Sequence, residues 1–290
     1  MIDVRETDRF PGRYQRSPGQ MRDLKPPLLS IITVVLNGAA TLEKAIRSVV
    51  GRPFKDFEYI IVDGGSVDGS VEIIKQYKSK LTHWVSEPDQ GVYDAMNKAL
   101  SLATGKWVYF LGADDQLMDG FDRAITCLQD ARTVYYGNVY RSTTDRLYDG
   151  KFSAYKLACR NICHQSIFYP RCVWDRYAYN LQYPVFADYD LNLRCFADAD
   201  LIFQYVPETI AMYSGEGGIS RTQRDSAFEA DKLAIIRRLF PLQISLPIRV
   251  RSFLIDFLIL FRLQRAAVGG YHYAVKGLQK VVQVHGRNKR

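Results

Sequence analysis

The chain has 290 residues, of which 47% are hydrophobic, so it is long enough to bury one large core and to carry an appended module. Its five cysteines stand at irregular spacing, which argues against a disulfide framework and predicts a reducing compartment. The net charge of +8 suits an anionic partner, but no nucleic-acid-binding motif accompanies it, and we predict no nucleic-acid partner.

The N-terminal part of the chain predicts a tail followed by a β-α unit. Residues 1–27 mix charge, proline and glycine without an apolar core, which is typical of a flexible tail and not of a signal peptide. The run LLSIITVVLNG, residues 28–38, is typical of a buried strand that ends in a turn. Thr41 is predicted to cap the helix that follows, over residues 41–50.

The same plan recurs along the next fifty residues. In residues 57–70 an apolar β-branched run ends at Asp63 and a glycine pair, and Asp68 or Ser70 is predicted to open a helix. A third unit runs from THWVSE into GVYDAMNKALSLATG, and WVYFLG supplies a fourth strand. Alternating strands and helices predict an α/β fold with a parallel sheet and right-handed crossovers.

Two adjacent carboxylates, Asp114 and Asp115, follow the apolar run at residues 107–112. Carboxylates side by side repel each other, so their position at the end of a buried strand favours a compensating cation, most readily a divalent metal. Ligands of open parallel sheets bind beyond the carboxyl ends of the strands, where this pair is predicted to lie. An ordinary acidic turn behind a helix cap is the alternative.

Two familiar phosphate-binding motifs are absent from the sequence. No GxGxxG follows the first predicted strand, and GxxxxGK[ST] occurs nowhere. The chain must therefore hold phosphate in another way, and a metal at Asp115 that bridges diphosphate oxygens would do so.

Four segments occur in the order SIITVVLN, VDGGSVDGS, SEPDQGVYDAMNKAL and FLGADD. Together they resemble the nucleotide-binding half of inverting A-type glycosyltransferases of family two, over residues 28–120. A weaker resemblance continues through NICHQSIFY, VFADYDLNLRCF and GEGGIS, and is closest to bacterial and mycobacterial enzymes that glycosylate cell-envelope glycolipids and polysaccharides. The resemblance implies the A-type glycosyltransferase fold, with a mostly parallel nucleotide-binding sheet flanked by helices.

The resemblance also implies roles for individual residues. Asp63 would contact the base or ribose of a nucleotide-diphosphate sugar, and Asp89 would line the same pocket. Asp115 would bind the divalent metal, Mn or Mg, and Asp114 would lie nearer the ribose or donor sugar; the usual DxD pattern is reduced to Ala-Asp-Asp. Two further donor-binding positions fall in the first segment, Thr33 and Asn37.

The segment ADYDLNLR resembles the part of the family that carries the general base, which aligns with Asp188. Ala187 stands where the first acid of the motif is often found, and Asp190 is a competing candidate for the base. A structural alternative for Asp188 is a helix cap or a partner of Arg194. An inverting transfer needs one base and one leaving-group stabiliser but no covalent nucleophile, which agrees with the absence of a Ser-His or Cys-His motif.

Two further positions are candidates for ligand contact. His164 is predicted to be a hydrogen-bonded core or acceptor-pocket histidine, with direct metal or diphosphate contact as the alternative. The glycine-rich stretch 215–221 can move, and Arg221 at its end is a candidate diphosphate clamp. The alternative for this stretch is a plain surface connection.

Domain organisation follows from the motifs and the composition. We predict a catalytic domain over residues 28–222, with a nucleotide-sugar half at 28–120 and an acceptor half at 121–222, and a basic amphipathic region at 223–290. Residues 242–265 are strongly apolar but interrupted by charges, so their uninterrupted apolar run is too short to span a membrane, and the segment suits an anionic membrane surface. Packing on the catalytic core or on a second subunit is the alternative.

The sequence thus predicts a metal-dependent inverting glycosyltransferase, cytoplasmic and peripheral on the inner membrane face, with a glycolipid or lipid-linked glycan acceptor. A noncatalytic nucleotide-sugar or membrane-binding module with the same fold is the alternative. A binding module would not need the base Asp188, which favours the enzyme. A nucleotidyltransferase should carry a glycine-rich, basic signature near the first strand, and none is present.

Overall fold

The computed structural model of the chain describes residues 25–215, 222–248 and 250. It divides into two compact units, Met1–Phe240 and Pro241–Arg290. Most of the predicted N-terminal tail and of the segment 242–265, together with Arg221, lie outside the described residues.

The first half of the larger unit contains the predicted β-α units. Four strands lie side by side in the order β3-β2-β1-β4 and run parallel to one another. The elements are β1 Leu29–Val35, α1 Ala39–Val50, β2 Phe57–Asp63, α2 Ser70–Tyr77, β3 His83–Ser86, α3 Val92–Leu102 and β4 Trp107–Phe110. The parallel α/β arrangement expected for the nucleotide-binding half is confirmed.

The second half extends the same sheet with mostly antiparallel neighbours. Beyond β4 the order is β8-β6-β9-β5, with β7 paired to β6; of these pairs, only β6 with β9 is parallel. The elements are β5 Gln116–Leu117, α4 Gly120–Ile125, β6 Thr133–Arg141, β7 Arg146–Tyr148, α5 Ala154–Cys159, β8 Ile167–Pro170, α6 Arg171–Trp174, α7 Ala187–Ala197, β9 Ile202–Tyr213 and α8 Ser226–Leu239. The whole sheet is therefore mixed.

Buried aromatic side chains join the two halves at the centre of the sheet. Tyr109 of β4 packs against Phe121 and Phe168, with ring centroids 5.3 and 5.0 Å away. All three rings are almost completely buried. Their burial fixes β4 against β8 and so holds the acidic pair after β4 in place relative to the second half.

The start of α1 differs from the prediction. The helix begins at Ala39, so Thr41 lies in its first turn and does not cap it. The acceptor for the Ala39 backbone N–H is Asp68 Oδ2, at 2.9 Å, and Ser70 Oγ accepts from Gly38 N at 3.0 Å. The prediction for Thr41 is wrong because the next β-α unit supplies the capping oxygens from a distance in the sequence.

Helix α8 belongs to the larger unit. Asp225, the residue that caps its N-terminus, is buried, and its Oδ1 accepts from Phe228 N at 3.0 Å. Its Oδ2 accepts from Val185 N at 2.9 Å and from Phe186 N at 3.0 Å. The Phe228 ring also packs on Tyr189, with centroids 5.2 Å apart. The division predicted between residues 222 and 223 therefore falls inside the compact unit that ends at Phe240.

The smaller unit is described only at its beginning. Residues 242–248 are helical, and Leu242, Leu246 and Val250, four residues apart, are 62%, 46% and 49% exposed. Spacing of four places these side chains on one helix face. In the described part of the chain, no helix has the length and apolarity needed to cross a membrane.

Candidate active site

The carboxyl ends of β1, β2 and β4 meet at one edge of the sheet because the three strands are parallel and adjacent. Asp63 is the last residue of β2, and Asp114 and Asp115 follow β4. The sequence predicted that these carboxylates lie at the carboxyl ends of neighbouring strands, and the parallel pairing of the strands places them there.

Asp63 is buried and held by three hydrogen bonds to one of its oxygens. Oδ2 accepts from Gly65 N at 3.0 Å, from Ser66 N at 2.9 Å and from Ser86 Oγ at 2.6 Å. Oδ1 is buried and has no hydrogen-bond partner among the residues that the structure describes. The carboxylate is thus fixed in orientation with one oxygen left for a donor group of a ligand.

The loops after β1 and β2 close on each other beside Asp63. Asn37, at φ 52°, accepts from Val67 N at 3.0 Å and donates its own backbone N–H to Ser66 Oγ at 2.7 Å. Asp89 lies against Gly64, where an added Cβ would stand 2.4 Å from Asp89 Oδ2. Glycine at position 64 is therefore what lets Asp89 approach Asp63, and both predicted nucleotide-pocket carboxylates lie together.

Thr33 requires a correction. Its side chain is fully buried, and its hydroxyl shares a hydrogen bond of 3.1 Å with the buried hydroxyl of Tyr59. It lies in the middle of β1, whose side chains are buried on both faces. The Thr33 side chain is thus part of the core and is not available to a nucleotide.

Asp115 is fully buried behind the more exposed Asp114. Oδ1 accepts from Ser214 N at 2.9 Å, whereas Oδ2 has no hydrogen-bond partner within the described ranges. Burial, and next the neighbouring charge of Asp114, raises the pKa of Asp115 to about 7. Burial also raises the pKa of Asp114.

The chemistry of this pair fits a divalent cation. A buried oxygen without a donor and a carboxyl whose charge is disfavoured both gain from a bound cation. Gly112 makes the packing possible, since a Cβ there would lie 2.4 Å from Asp115 Oδ2 and 3.0 Å from Asp114 Oδ1. Across residues 25–215 and 222–248, no set of three or more His, Cys, Asp or Glu side chains is arranged to hold a metal.

Asp188 lies in the first turn of α7 and is 9% exposed. Oδ1 accepts from the Tyr93 hydroxyl at 2.8 Å, and Oδ2 accepts from Asn161 Nδ2 at 2.7 Å. Burial raises the pKa of Asp188 to about 6, against the opposing effect of these hydrogen bonds. A carboxylate held in one orientation, with a pKa close to neutral, is suited to accept a proton.

Asp190, the competing candidate for the general base, takes part in an ion pair. Its Oδ2 forms an ion pair of 2.9 Å with Arg194, one turn further along α7. The alternative reading that paired Arg194 with Asp188 is therefore wrong. Asp190 is buried, and the Arg194 guanidinium occupies its Oδ2.

His164 is a core histidine in this structure. Its Nε2 is 2.7 Å from the Tyr179 hydroxyl, and its ring stacks on Phe110 with centroids 5.0 Å apart. Desolvation lowers the pKa of His164 to about 4, so the ring is neutral at physiological pH. The contacts with Tyr179 and Phe110 support the hydrogen-bonded core or acceptor-pocket role that the sequence predicts for His164.

Several residues of the site were not predicted. Tyr93 and Asn161, which hold Asp188, lie inside the segments SEPDQGVYDAMNKAL and NICHQSIFY, so the motifs contained them without revealing their contacts. Asn192 continues this network: it donates to Asn161 Oδ1 at 2.8 Å and accepts from the buried Tyr169 hydroxyl at 2.7 Å. An amide or a hydroxyl in a buried motif is the only signal the sequence offers for such contacts.

The fold and the acidic edge of the sheet define an A-type glycosyltransferase. Solved structures with this fold include Staphylococcus aureus TarS in complex with UDP-GlcNAc, with a TM-score of 0.58 and 16% identity over 72% of this chain and 65% of that one. A mannosyltransferase from Pyrobaculum calidifontis in complex with GDP-Man and Mn²⁺ has a TM-score of 0.60 and 17% identity over 75% of this chain and 66% of that one.

Residues 30–183 match Glycosyl transferase family 2, and the chain belongs to this family. Proteins described as PGL/p-HBAD biosynthesis glycosyltransferase, from Mycobacterium bovis and Mycobacterium tuberculosis, are 39% identical over 211 residues, which is 70% of this chain and 82% of theirs. A cholesterol galactosyltransferase of Borreliella burgdorferi is 35% identical over 91 residues, 31% of this chain and 25% of that protein. The protein is a glycosyltransferase, as the sequence predicted.

Proposed function

We propose that the protein is a metal-dependent inverting glycosyltransferase that transfers a sugar from a nucleotide-diphosphate donor to a hydroxyl group of a glycolipid, lipid-linked glycan or polysaccharide of the cell envelope. The observation that carries the proposal is the pair of buried carboxylates with raised pKa values, Asp115 and Asp188, each held by hydrogen bonds in one domain. The surroundings of Asp115 suit a bound cation, and those of Asp188 suit the uptake of a proton.

In this mechanism Asp188 acts as the general base. It removes the proton from the acceptor hydroxyl as that oxygen attacks the anomeric carbon and the bond from this carbon to the diphosphate oxygen breaks. The electron pair of the broken bond leaves with the diphosphate, and one displacement inverts the configuration. Tyr93 and Asn161 stabilise the charged form of Asp188 before the reaction and keep its oxygens in place.

The donor is proposed to bind along the edge formed by Asp63, Asp89 and Asp114. The free Oδ1 of Asp63 would accept from an N–H or O–H of the base or ribose. Asp115 would hold Mn²⁺ or Mg²⁺, which would supply positive charge to the departing diphosphate. Of the solved structures named above, TarS was determined with UDP-GlcNAc and the mannosyltransferase with GDP-Man and Mn²⁺.

The acceptor class is inferred from the mycobacterial relatives, whose names place them in PGL/p-HBAD biosynthesis. We also propose that the chain works at the inner face of a membrane. The exposed leucine and valine face at Leu242, Leu246 and Val250 is followed in the sequence by basic residues, a combination that suits an anionic interface.

The first experiment is a thermal-shift screen of UDP, GDP, ADP and dTDP and their sugar conjugates, with and without MnCl₂. A ligand that binds only the folded protein raises the melting temperature, and we expect one nucleotide to do so mainly when metal is present. The donor identified in this way is then tested for transfer, and the anomeric configuration of the product is determined by NMR. Binding without any transfer or donor hydrolysis would favour a noncatalytic module, and retention of configuration would exclude the inverting mechanism.

A further inference from the structure

Arg141, the last residue of β6, forms no ion pair with any carboxylate among the residues that the structure describes. Its guanidinium lies over the Tyr148 ring, 3.8 Å from the centroid, and faces Tyr213 at 6.0 Å. Nε is buried without a hydrogen-bond partner, and in the described part of the chain no acidic oxygen lies within 4.0 Å of the group. A partly buried cation whose Nε is buried and unpaired needs an anion or water in place of lost solvent, and the aromatic rings supply only part of this.

A second arginine on the same ring provides a contrast. Arg160 lies 5.5 Å from the Tyr148 centroid, but its side chain is 51% exposed and forms an ion pair with Asp149. The charge of Arg160 is therefore satisfied by the protein and by solvent. Only Arg141, of these two, offers free donors towards a ligand.

Arg141 is linked to the metal-site carboxylate through backbone contacts. The next residue, Ser142, donates its N–H to Tyr213 O at 3.2 Å, and the following Ser214 N donates to Asp115 Oδ1 at 2.9 Å. Two hydrogen bonds and one peptide unit therefore separate the end of β6 from Asp115.

Arg141 is also linked to the candidate base Asp188, through the ring of Tyr148 on which it lies. The Tyr148 hydroxyl donates to Asn161 O at 2.7 Å, and Asn161 Nδ2 donates to Asp188 Oδ2 at 2.7 Å. Burial and then the charge of Asp115 raise the pKa of the Cys163 thiol to about 12; Asp188 raises this pKa further, whereas Arg141 lowers it.

We propose that Arg141 binds the diphosphate of the donor and stabilises the negative charge of the departing nucleotide. This rests on the proposed function, because it assigns a contact within the same donor site. A guanidinium can donate two parallel N–H groups to phosphate oxygens, and the flanking rings restrict its orientation before the ligand arrives. The link to Asp115 favours the diphosphate over an anionic group on the acceptor.

The test compares Arg141→Gln and Arg141→Lys with Arg160→Gln as the matched control. Titration calorimetry with MgCl₂ or MnCl₂ measures binding of UDP, GDP or dTDP, of the corresponding nucleoside, and of inorganic pyrophosphate. We expect Arg141→Gln to weaken nucleoside diphosphate binding at least tenfold with nucleoside binding unchanged. Arg141→Lys should lose less, and Arg160→Gln should bind as the wild type does.

Several outcomes would overturn the assignment. Unchanged diphosphate binding by Arg141→Gln would do so, and so would an equal loss of nucleoside binding, which would indicate a general disturbance of the pocket. If Arg141→Gln does not fold, Arg141→Lys decides: diphosphate binding that is weakened at unchanged nucleoside binding supports the contact, and diphosphate binding equal to that of the wild type refutes it. If the wild type binds none of these diphosphates, the proposed function fails together with the inference.

Discussion

The hydroxyl of Tyr93 lies 2.8 Å from Asp188 Oδ1 and 2.9 Å from the backbone oxygen of Val185. A phenol has one proton to donate, so the two acceptors share it. While Asp188 is charged, the proton is drawn to the carboxylate. Once Asp188 has been protonated it can donate to the Tyr93 oxygen, and the phenol proton can turn to Val185. The pair can therefore accommodate both charge states of the base without rearranging the backbone.

Tyr93→Phe is expected to change the pH dependence of the reaction. The base must be deprotonated to act, so activity should fall below pH 6, near the Asp188 pKa of about 6. Loss of the Tyr93 donor destabilises the charged carboxylate and should move this acidic limb to higher pH. The measurement is kcat/KM against pH. Tyr179→Phe is the control, since Tyr179 packs on Tyr93 at 5.1 Å but bonds to His164 instead of Asp188; a limb that moves equally in both variants would contradict the role of Tyr93.

Asp188→Asn is expected to lower the transfer rate by about 100-fold or more, the usual scale for loss of a general base, with donor affinity little changed. Asp190→Asn removes the partner of Arg194 and should act mainly by lowering the melting temperature. Kinetics and melting curves of both variants separate the roles. Loss of turnover in Asp190→Asn at unchanged stability, with an active Asp188→Asn, would assign the base to Asp190.

Asp115→Asn should abolish turnover and metal-dependent nucleotide binding while stabilising the metal-free protein. The pKa of Asp115 is about 7 in the fold, whereas an unfolded aspartate titrates near 4. The folded state thus binds more protons between these values, and stability of the wild type falls as pH rises from about 4 to about 7. At pH 8 the variant should gain on the order of 2–4 kcal/mol, and near pH 4 almost nothing. Urea melts at both pH values test this; a variant less stable at pH 8, or one that keeps turnover, would refute the assignment.

A chain that ends at Phe240 should be released from membranes. The removed segment carries the exposed apolar face at Leu242 and Leu246 and the basic residues that follow it. Binding of the full chain to anionic vesicles should weaken with added salt, since screening reduces the charge-assisted part. Transfer to a short water-soluble acceptor should survive the truncation. A full chain that ignores anionic vesicles at low salt would point to protein packing for this segment.

The sequence was sufficient for the parts of the fold that depend on local patterns. Apolar runs bounded by glycine and aspartate predicted the β-α units, and they also predicted that Asp63 and Asp115 lie at the ends of strands. Thr33 was assigned from the motif that contains it, although its position in the middle of a buried strand gives its side chain to the core.

The surroundings of the base could not be read in this way. Tyr93 and Asp188 are 95 positions apart, and Asn161 and Asp188 are 27 apart, so their contacts arise only from tertiary packing. The lack of an ion pair at Arg141, among the residues that the structure describes, likewise depends on distances in three dimensions. A pattern of residue types along one chain does not contain these distances.

The buried aspartate that begins α8 has a consequence for anyone who joins the donor half of one family member to the acceptor half of another. Asp225 supplies the acceptor for the backbone N–H groups of Val185 and Phe186, immediately ahead of the turn that carries Asp188. In a chimera spliced at residue 222, Asp225 would be replaced by the residue that the other parent has at this position. A module exchanged at this point should therefore extend through Phe240, so that helix α7, which carries Asp188, keeps the residue that holds its start.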